Sequence, residues 1–366
     1  MTEKDLHIAF VIGSMRAGGA ERATVNLINS LIRKNVRIDL VLVERTGEFL
    51  LLIDPEINIV DLKSKSSRRS KGNFKEYLKT FQPDMIFAVQ NHVQLMVLAA
   101  ARELNSKARI ILNEQSTFSK NIRGLKGFVQ RILSKKYFKD ASVITAVSSG
   151  VADDLKRRFP ALSSKIKVIH NPVLNEVVFK LMNEEPEHLW FRSRQRIIVS
   201  AGRLIKSKNF SLLIEAFGSM ENRKEYKLVI FGEGEYRNEL EALIKKMNLG
   251  DLVSLPGYEK NPYRYFRAAE LFVLSSDYEG LPGVLIEALA CGCKCVSTDC
   301  ENGPAEILEN GKYGWLSPVA SKELLTSAMQ NALSSSADKN KLIERANDFQ
   351  SDKISNRYLQ LFRTIL

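Results

Sequence analysis

The sequence predicts two doubly wound α/β domains in tandem. Short apolar runs end repeatedly in glycine or a polar turn, as buried parallel strands do. Segments with helical periodicity separate these runs, which is the alternation that builds a parallel sheet. The whole pattern then restarts after an irregular stretch near Val173 to Arg194. With 366 residues the chain is long enough for two cores.

The first strand is read at residues 7–14, followed by Gly18 and Gly19 and a helix from Ala20 to Arg33. Ala23, Leu27, Ile28, Leu31 and Ile32 give that helix one apolar face. Val36 to Val43 is the second strand, and the basic stretch Lys63 to Lys71 reads as a mobile loop. Met85 to Val89, Ala108 to Leu112 and Val143 to Val147 complete the first series. The second series has strands at Arg196 to Ala201, Lys227 to Phe231, Leu252 to Leu255, Leu271 to Leu274 and Lys294 to Ser297. Its helices are read at Phe210 to Phe217 and Arg237 to Lys246. Domains are therefore expected at 1–175 and 195–350, with a linker at 176–194. A final helix at 351–366, with a stripe at Ile354, Tyr358, Leu361, Phe362 and Ile365, is expected to pack back on the first domain.

Composition narrows the class. At 45% hydrophobic and 26% charged residues the chain is globular. No apolar run approaches the ~20 residues that cross a bilayer. The N-terminus reads as a strand and not as a signal peptide, so a cytoplasmic protein is expected. Cys291, Cys293, Cys295 and Cys300 lie where a helix runs into a strand, without the paired spacing of a zinc site, and read as reduced buried thiols. The net charge of +12 is uneven: residues 1–185 hold 30 Lys and Arg against 19 Asp and Glu. A basic half suits an anionic partner, or serves solubility alone.

The chemistry concentrates between Ser275 and Leu308. There a strand end passes through Glu279 and the turn Gly280-Leu281-Pro282-Gly283 into a helix, whose free N–H groups suit phosphate. Glu287, eight positions after Glu279, is placed about two turns along, where a carboxylate can take a ribose diol. Gly202-Arg203-Leu204, Lys206 and Lys208 follow another strand end, and Arg203 and Lys208 can neutralise a diphosphate without a metal. Gly232-Glu233-Gly234 offers close backbone approach to a nucleotide. Gly18-Gly19-Ala20-Glu21-Arg22 lacks the third glycine of the dinucleotide fingerprint, which disfavours an NAD enzyme.

These stretches resemble the family-4 (group 1) retaining glycosyltransferases. The likeness is carried by GGAER at 18–22, AVSSGVADDL at 146–155, IHNPV at 169–173, AGRLIKSKN at 201–209, FGEGEYRNEL at 231–240 and EGLPGVLIEALACG at 279–292. The resemblance implies the GT-B fold, two Rossmann-like domains facing across a cleft, with acceptor in the first and nucleotide-sugar donor in the second. It implies that Glu287 holds the ribose, Arg203 and Lys208 the diphosphate, and Glu279 with the turn that follows it, Gly280, Leu281 and Pro282, the donor sugar. Gly18 and Gly19 border the phosphates and acceptor, Gly232 and Gly234 the nucleotide, and UDP is the implied nucleotide. Relatives carry a histidine after the fourth or fifth strand, where this chain has Asn113-Glu114-Gln115-Ser116. His92 is the nearest remaining candidate for a catalytic role, though a lone histidine is more often structural.

The segment 120–139 interleaves Lys120, Arg123, Lys126, Arg131, Lys135, Lys136 and Lys139 with Ile122, Leu125, Phe128, Val129, Ile132, Leu133, Tyr137 and Phe138. Such a helix suits an anionic membrane surface, or packs its apolar face into the core and leaves its charges solvated. The expectation is a cytoplasmic enzyme on the inner face of the membrane, extending a lipid-linked glycan and needing no metal. No nucleic-acid motif accompanies the charge. A nucleotide-sugar epimerase or hydrolase and a non-catalytic glycan-binding subunit are the alternatives. A metal-dependent single-domain transferase has only Asp277-Tyr278-Glu279 in its favour.

Overall fold

The computed structural model describes residues 6–118, 124–193 and 195–366. It divides into two compact units. One comprises the chain up to Val173 together with Ser351–Leu366, the other Leu174–Gln350.

The first unit holds a seven-stranded parallel sheet in the order β3-β2-β1-β4-β5-β6-β7. Its strands are β1 (Leu6–Ile12), β2 (Val36–Leu42), β3 (Asn58–Asp61), β4 (Met85–Val89), β5 (Arg109–Glu114), β6 (Val143–Ala146) and β7 (Ile166–Val168). The short β3 and β7 have no apolar run of their own length, which is why the sequence pattern passed over them. The helices are α1 (Gly19–Ile32), α2 (Ser67–Phe81), α3 (Asn91–Glu103), α4 (Gly124–Tyr137) and α5 (Ser149–Arg158). Part of the stretch read as a loop at Lys63 to Lys71 is the first turn of α2. Ser67, Ser70, Phe74, Tyr77 and Leu78 recur at helical spacing and bury one face.

Beneath β1 and β2 lies a closed polar network. Asp39 is fully buried and accepts from the Tyr77 hydroxyl at 2.7 Å and from Asn58 Nδ2 at 3.0 Å, while His7 Nε2 lies 2.8 Å from its Oδ2. The C-terminal helix, Ser351–Ile365, completes this unit's core. Ile354, Tyr358 and Phe362 are buried, and both rings meet Phe87 edge-on at 5.5 and 6.3 Å. Ser30 of α1 donates to Asp352 at 2.7 Å.

The second unit carries a six-stranded parallel sheet in the order β10-β9-β8-β11-β12-β13. These strands are β8 (Arg196–Ala201), β9 (Tyr226–Phe231), β10 (Val253–Gly257), β11 (Leu271–Leu274), β12 (Lys294–Thr298) and β13 (Trp315–Ser317). The segment 176–194, expected as a linker, belongs to this unit. It forms α6 (Glu176–Leu181) and α7 (Leu189–Arg192), and is tied down by two side chains of the 261–264 region. Arg264 pairs with Glu187 at 2.9 Å, and Asn261 Nδ2 donates to the Leu181 carbonyl at 2.9 Å. Its mixed composition hid this because the anchoring residues lie some eighty positions away. The remaining helices are α8 (Phe210–Gly218), α9 (Arg237–Lys246), α10 (Tyr263–Ala268), α11 (Gly283–Ala290), α12 (Pro304–Ile307), α13 (Lys322–Ser334) and α14 (Lys339–Ala346).

In each sheet the strand order reverses once, between β1 and β4 and between β8 and β11. At such a switch point neighbouring connections leave on opposite faces, and the strand ends open a crevice that receives ligands. No helix among the described residues is long and apolar enough to cross a membrane.

Candidate active site

The second unit's switch point gathers the residues that the sequence singled out there. β8 ends at Ala201 and runs into Gly202 and Arg203, then into the 3-10 turn Lys206–Lys208. β11 ends at Leu274 and runs into Ser275, Ser276 and Glu279. Across the crevice, Lys208 Nζ lies 2.5 Å from Glu279 Oε1, with both side chains largely buried. Two residues 71 positions apart are thus brought into a charge-assisted contact at the place where a ligand is expected.

Several bonds hold the two loops in register. Asp277 N donates to the Ser207 carbonyl at 2.9 Å and Ser275 Oγ to the Lys208 carbonyl at 2.9 Å. Asn209, left-handed at φ 47°, donates from Nδ2 to Asp277 Oδ1 at 2.8 Å, and its own Oδ1 caps α8 at Leu212 N. Arg203 is exposed and pairs with no carboxylate among the described residues, so its guanidinium stands available to an anion.

Gly232 and Gly234 are required by the packing of the chain on itself. A Cβ on Gly232 would overlap the Gly202 carbonyl, and one on Gly234 would overlap the backbone of Leu204. The close approach is chain on chain: Leu204 N donates to Glu233 O at 2.8 Å, and Tyr236 N to Leu204 O at 2.9 Å. The glycines therefore seat the strand that presents Arg203, and a nucleotide need not touch them. The Glu233 carboxylate is turned to Arg237, 2.7 Å away.

The turn Gly280-Leu281-Pro282 leads into α11 without a side-chain cap, since Pro282 at the N-cap offers the first N–H groups of that helix no side-chain acceptor. Leu281 and Pro282 are buried. Gly303, at φ 93°, packs so closely behind this turn that a Cβ would press on Pro282 Cδ and the Gly280 carbonyl. Glu287 stands one turn into α11 and not two, because the helix begins only at Gly283. The buried Tyr263 places its hydroxyl 3.4 Å from Glu287 Oε1. Gly303, Tyr263 and Ser276 are supporting residues the sequence reading missed.

The four cysteines are buried free thiols, and burial pushes Cys293 and Cys300 up to about 12. Among the described residues no group of three or more His, Cys, Asp or Glu is arranged to hold a metal.

At the first unit's switch point, Gly13 follows β1 and Gln90 follows β4. Gln90 adopts φ 70°, a conformation costly for a residue with a side chain, and bridges the two loops. Its Oε1 accepts from Gly13 N at 3.2 Å and its Nε2 donates to Glu21 Oε1 at 2.6 Å. Gly18 precedes α1 in an extended conformation, and a Cβ there would meet the Glu21 carboxylate, while Gly19 faces open space. His92 opens α3 beside Gly13, and desolvation pulls its pKa below the ordinary histidine value. The shift favours the neutral ring, which can accept or donate a hydrogen bond.

Gln115 takes no part in that cluster. Its amide pairs with Asn171 in both directions, at 3.1 and 2.7 Å, and donates to Asn113 Oδ1. Asn113 in turn donates to Thr145 and to the Tyr358 hydroxyl. The glutamine that stands in for the expected histidine thus ties the strand ends to Asn171 of the IHNPV stretch.

Of the basic segment 120–139, Lys120, Ile122 and Arg123, and the side chains of Leu125, Lys126 and Phe128, lie outside the described residues. In the described part, Phe138 is core, packed against Phe118 and Phe159 at 5.9 and 5.6 Å. Val129 and Ile132 are 49% and 52% exposed beside exposed Lys135, Lys136 and Lys139.

Residues 182–349 match the family described as Glycosyl transferases group 1, and residues 17–175 match Glycosyltransferase Family 4. The chain is 30% identical, over 96% of its own length and 98% of the relative's, to the N-acetylgalactosamine-N,N'-diacetylbacillosaminyl-diphospho-undecaprenol 4-alpha-N-acetylgalactosaminyltransferase of Campylobacter jejuni. It is 25% identical to the amylovoran biosynthesis glycosyltransferase AmsD of Erwinia amylovora, over 90% of each chain. Among solved structures, Anabaena Alr3699/HepE in complex with UDP superposes with a TM-score of 0.81 at 17% identity, over 98% of this chain and all of that one. A glycosyltransferase from Rickettsia africae gives 0.82 at 16% identity, over 99% of this chain and 98% of that one. The chain belongs to the family-4 (group 1) glycosyltransferases, and its fold is GT-B.

Proposed function

We propose that this transferase moves a hexose or N-acetylhexosamine from a UDP-sugar to a lipid-linked glycan, with retention of anomeric configuration and without a metal. The observation that carries the reading is the Lys208–Glu279 contact at the β8/β11 switch point, with Arg203 unpaired alongside. Supporting it, the Campylobacter relative is named for transfer of N-acetylgalactosamine to a diphospho-undecaprenol-linked sugar, and the Anabaena protein was solved with UDP.

In this reading Arg203, Lys208 and the uncapped amides of α11 neutralise the departing diphosphate, the largest charge that develops in the reaction. Glu287 takes the ribose and Glu279 the donor sugar. The anomeric carbon–phosphate oxygen bond breaks and the acceptor oxygen bonds on the same face. The acceptor proton passes to a leaving phosphate oxygen, and nucleoside diphosphate departs. His92, neutral and next to Gly13, serves the acceptor side as a hydrogen-bonding group.

An anionic membrane surface is the second partner. The exposed Val129 and Ile132 with Lys135, Lys136 and Lys139 support peripheral attachment at the cytoplasmic face, where a lipid-linked acceptor is presented. The test is a panel of UDP- and GDP-sugars against a membrane extract, with the lipid fraction read by mass spectrometry. Glu279→Ala and Arg203→Ala are each expected to lower transfer by about 100-fold or more. Full transfer by either variant, or no binding of UDP or GDP by calorimetry, overturns the reading.

A further inference from the structure

We infer that Ser276 is a positioning residue for Glu279, a second tether that keeps the carboxylate in place while Lys208 attends to the diphosphate. The inference rests on the donor-site reading above and adds a residue to it.

Ser276 is fully buried and is the second residue beyond β11. Its Oγ lies 2.6 Å from Glu279 Oε1, the same oxygen that Lys208 Nζ approaches at 2.5 Å. Its backbone is fixed from behind, since Thr298 Oγ1, at the end of β12, donates to the Ser276 carbonyl at 2.6 Å. The hydroxyl is therefore carried by the sheet, whereas the ammonium is carried on a flexible four-carbon stem.

The two tethers respond differently to ligand. A diphosphate offers Lys208 more negative charge than one carboxylate does, so the ammonium redistributes its three donors toward the phosphate oxygens. A neutral hydroxyl on a strand end has no such pull. Once donor is bound, Ser276 carries the larger share of the orientation of Glu279. Before donor binds, Lys208 and Ser276 share it.

This division predicts a split that a merely structural serine does not give. In full-length Ser276→Ala, Lys208 still orders Glu279 in the free enzyme, so thermal stability and the calorimetric Kd for UDP stay within about twofold of wild type. Turnover falls, because the carboxylate that holds the sugar has lost its sheet-borne tether, and misplacement of about 1 Å costs on the order of 100-fold. The expected result is a kcat reduced about 10- to 50-fold with donor KM little changed. Ser276→Cys, nearly the same shape but a weaker donor, is expected to fall between the two.

A kcat for Ser276→Ala within about twofold of wild type overturns the inference. So does a loss of UDP affinity in step with kcat in both variants, which marks a collapsed loop and not a lost orientation. Wild-type protein that neither binds UDP nor transfers sugar takes down the donor-site reading itself, and the inference with it.

Discussion

Glu114 shows how a single residue can set a pH dependence. It ends β5 with its side chain buried, and its Oε1 has no hydrogen-bond partner among the described residues. Burial pushes its pKa to about 7; Gln94 partly offsets this and the nearby Asp154 adds to it. The folded state thus holds a proton between the ordinary value of about 4.5 and about 7 that the unfolded chain releases. Stability contributed by this site is full below about pH 4.5, falls as pH rises through the window, and stays low above about pH 7. Glu114→Gln keeps the shape and never ionises. Urea midpoints at pH 5 and pH 8 should therefore differ less in the variant than in wild type, with the variant the more stable at pH 8 by on the order of 2–3 kcal/mol. Equal pH responses in the two proteins would falsify the buried-acid account. Glu114 also shows what sequence reading misses. Next to Gln115 it was read as part of a motif, yet its burial depends on α3 and α5, which no local pattern places against it.

At the level of elements, the long, strongly periodic segments were legible and the short ones were not. β4, β8, β11 and α9 match their sequence-read bounds because apolar periodicity is strongest where both faces of a strand, or one face of a helix, are buried. β3, β7 and β13 are short edge-side strands of three or four residues, paired by partners far away in sequence. That Arg203, Lys208 and Glu279 lie at strand ends was legible because a strand end followed by glycine or charge is a local signal. Ser276, Tyr263 and Gly303 were not, since each acts on a residue in another loop. α4 is the element whose partner the fold leaves open to a test. Val129→Asp with Ile132→Asp removes apolar area and adds two negative charges facing anionic headgroups. Co-sedimentation with vesicles containing phosphatidylglycerol should fall by about 10-fold or more, while UDP affinity is unchanged, because the residues proposed to hold the donor lie in the other unit. Undiminished sedimentation would remove α4 from the membrane reading.

The whole molecule divides its work unequally between a contiguous and a discontinuous unit. Leu174–Gln350 is one uninterrupted stretch with its own core, built on Phe210, Phe217, Tyr226 and Met329, and it carries Arg203, Lys208, Glu279 and Glu287. The first unit needs both ends of the chain, since Ile354, Tyr358 and Phe362 fill its core from the C-terminal helix. Losing those side chains exposes the apolar surface they cover, and removing even one large buried aromatic costs about 3–5 kcal/mol, a large part of a domain's stability. A fragment spanning 174–350 is accordingly expected to unfold cooperatively in urea and to bind UDP within about threefold of the full chain. A fragment spanning 1–173 is expected to aggregate or bind hydrophobic dye, and to regain a cooperative transition when a peptide of residues 351–366 is supplied. The first outcome follows from the residues proposed to hold the donor sharing one contiguous core, the second from the first unit's core being completed in trans. A 1–173 fragment that folds without the peptide shows that the helix covers a core already stable. A 174–350 fragment that folds but ignores UDP shows that the donor is not held by this unit alone.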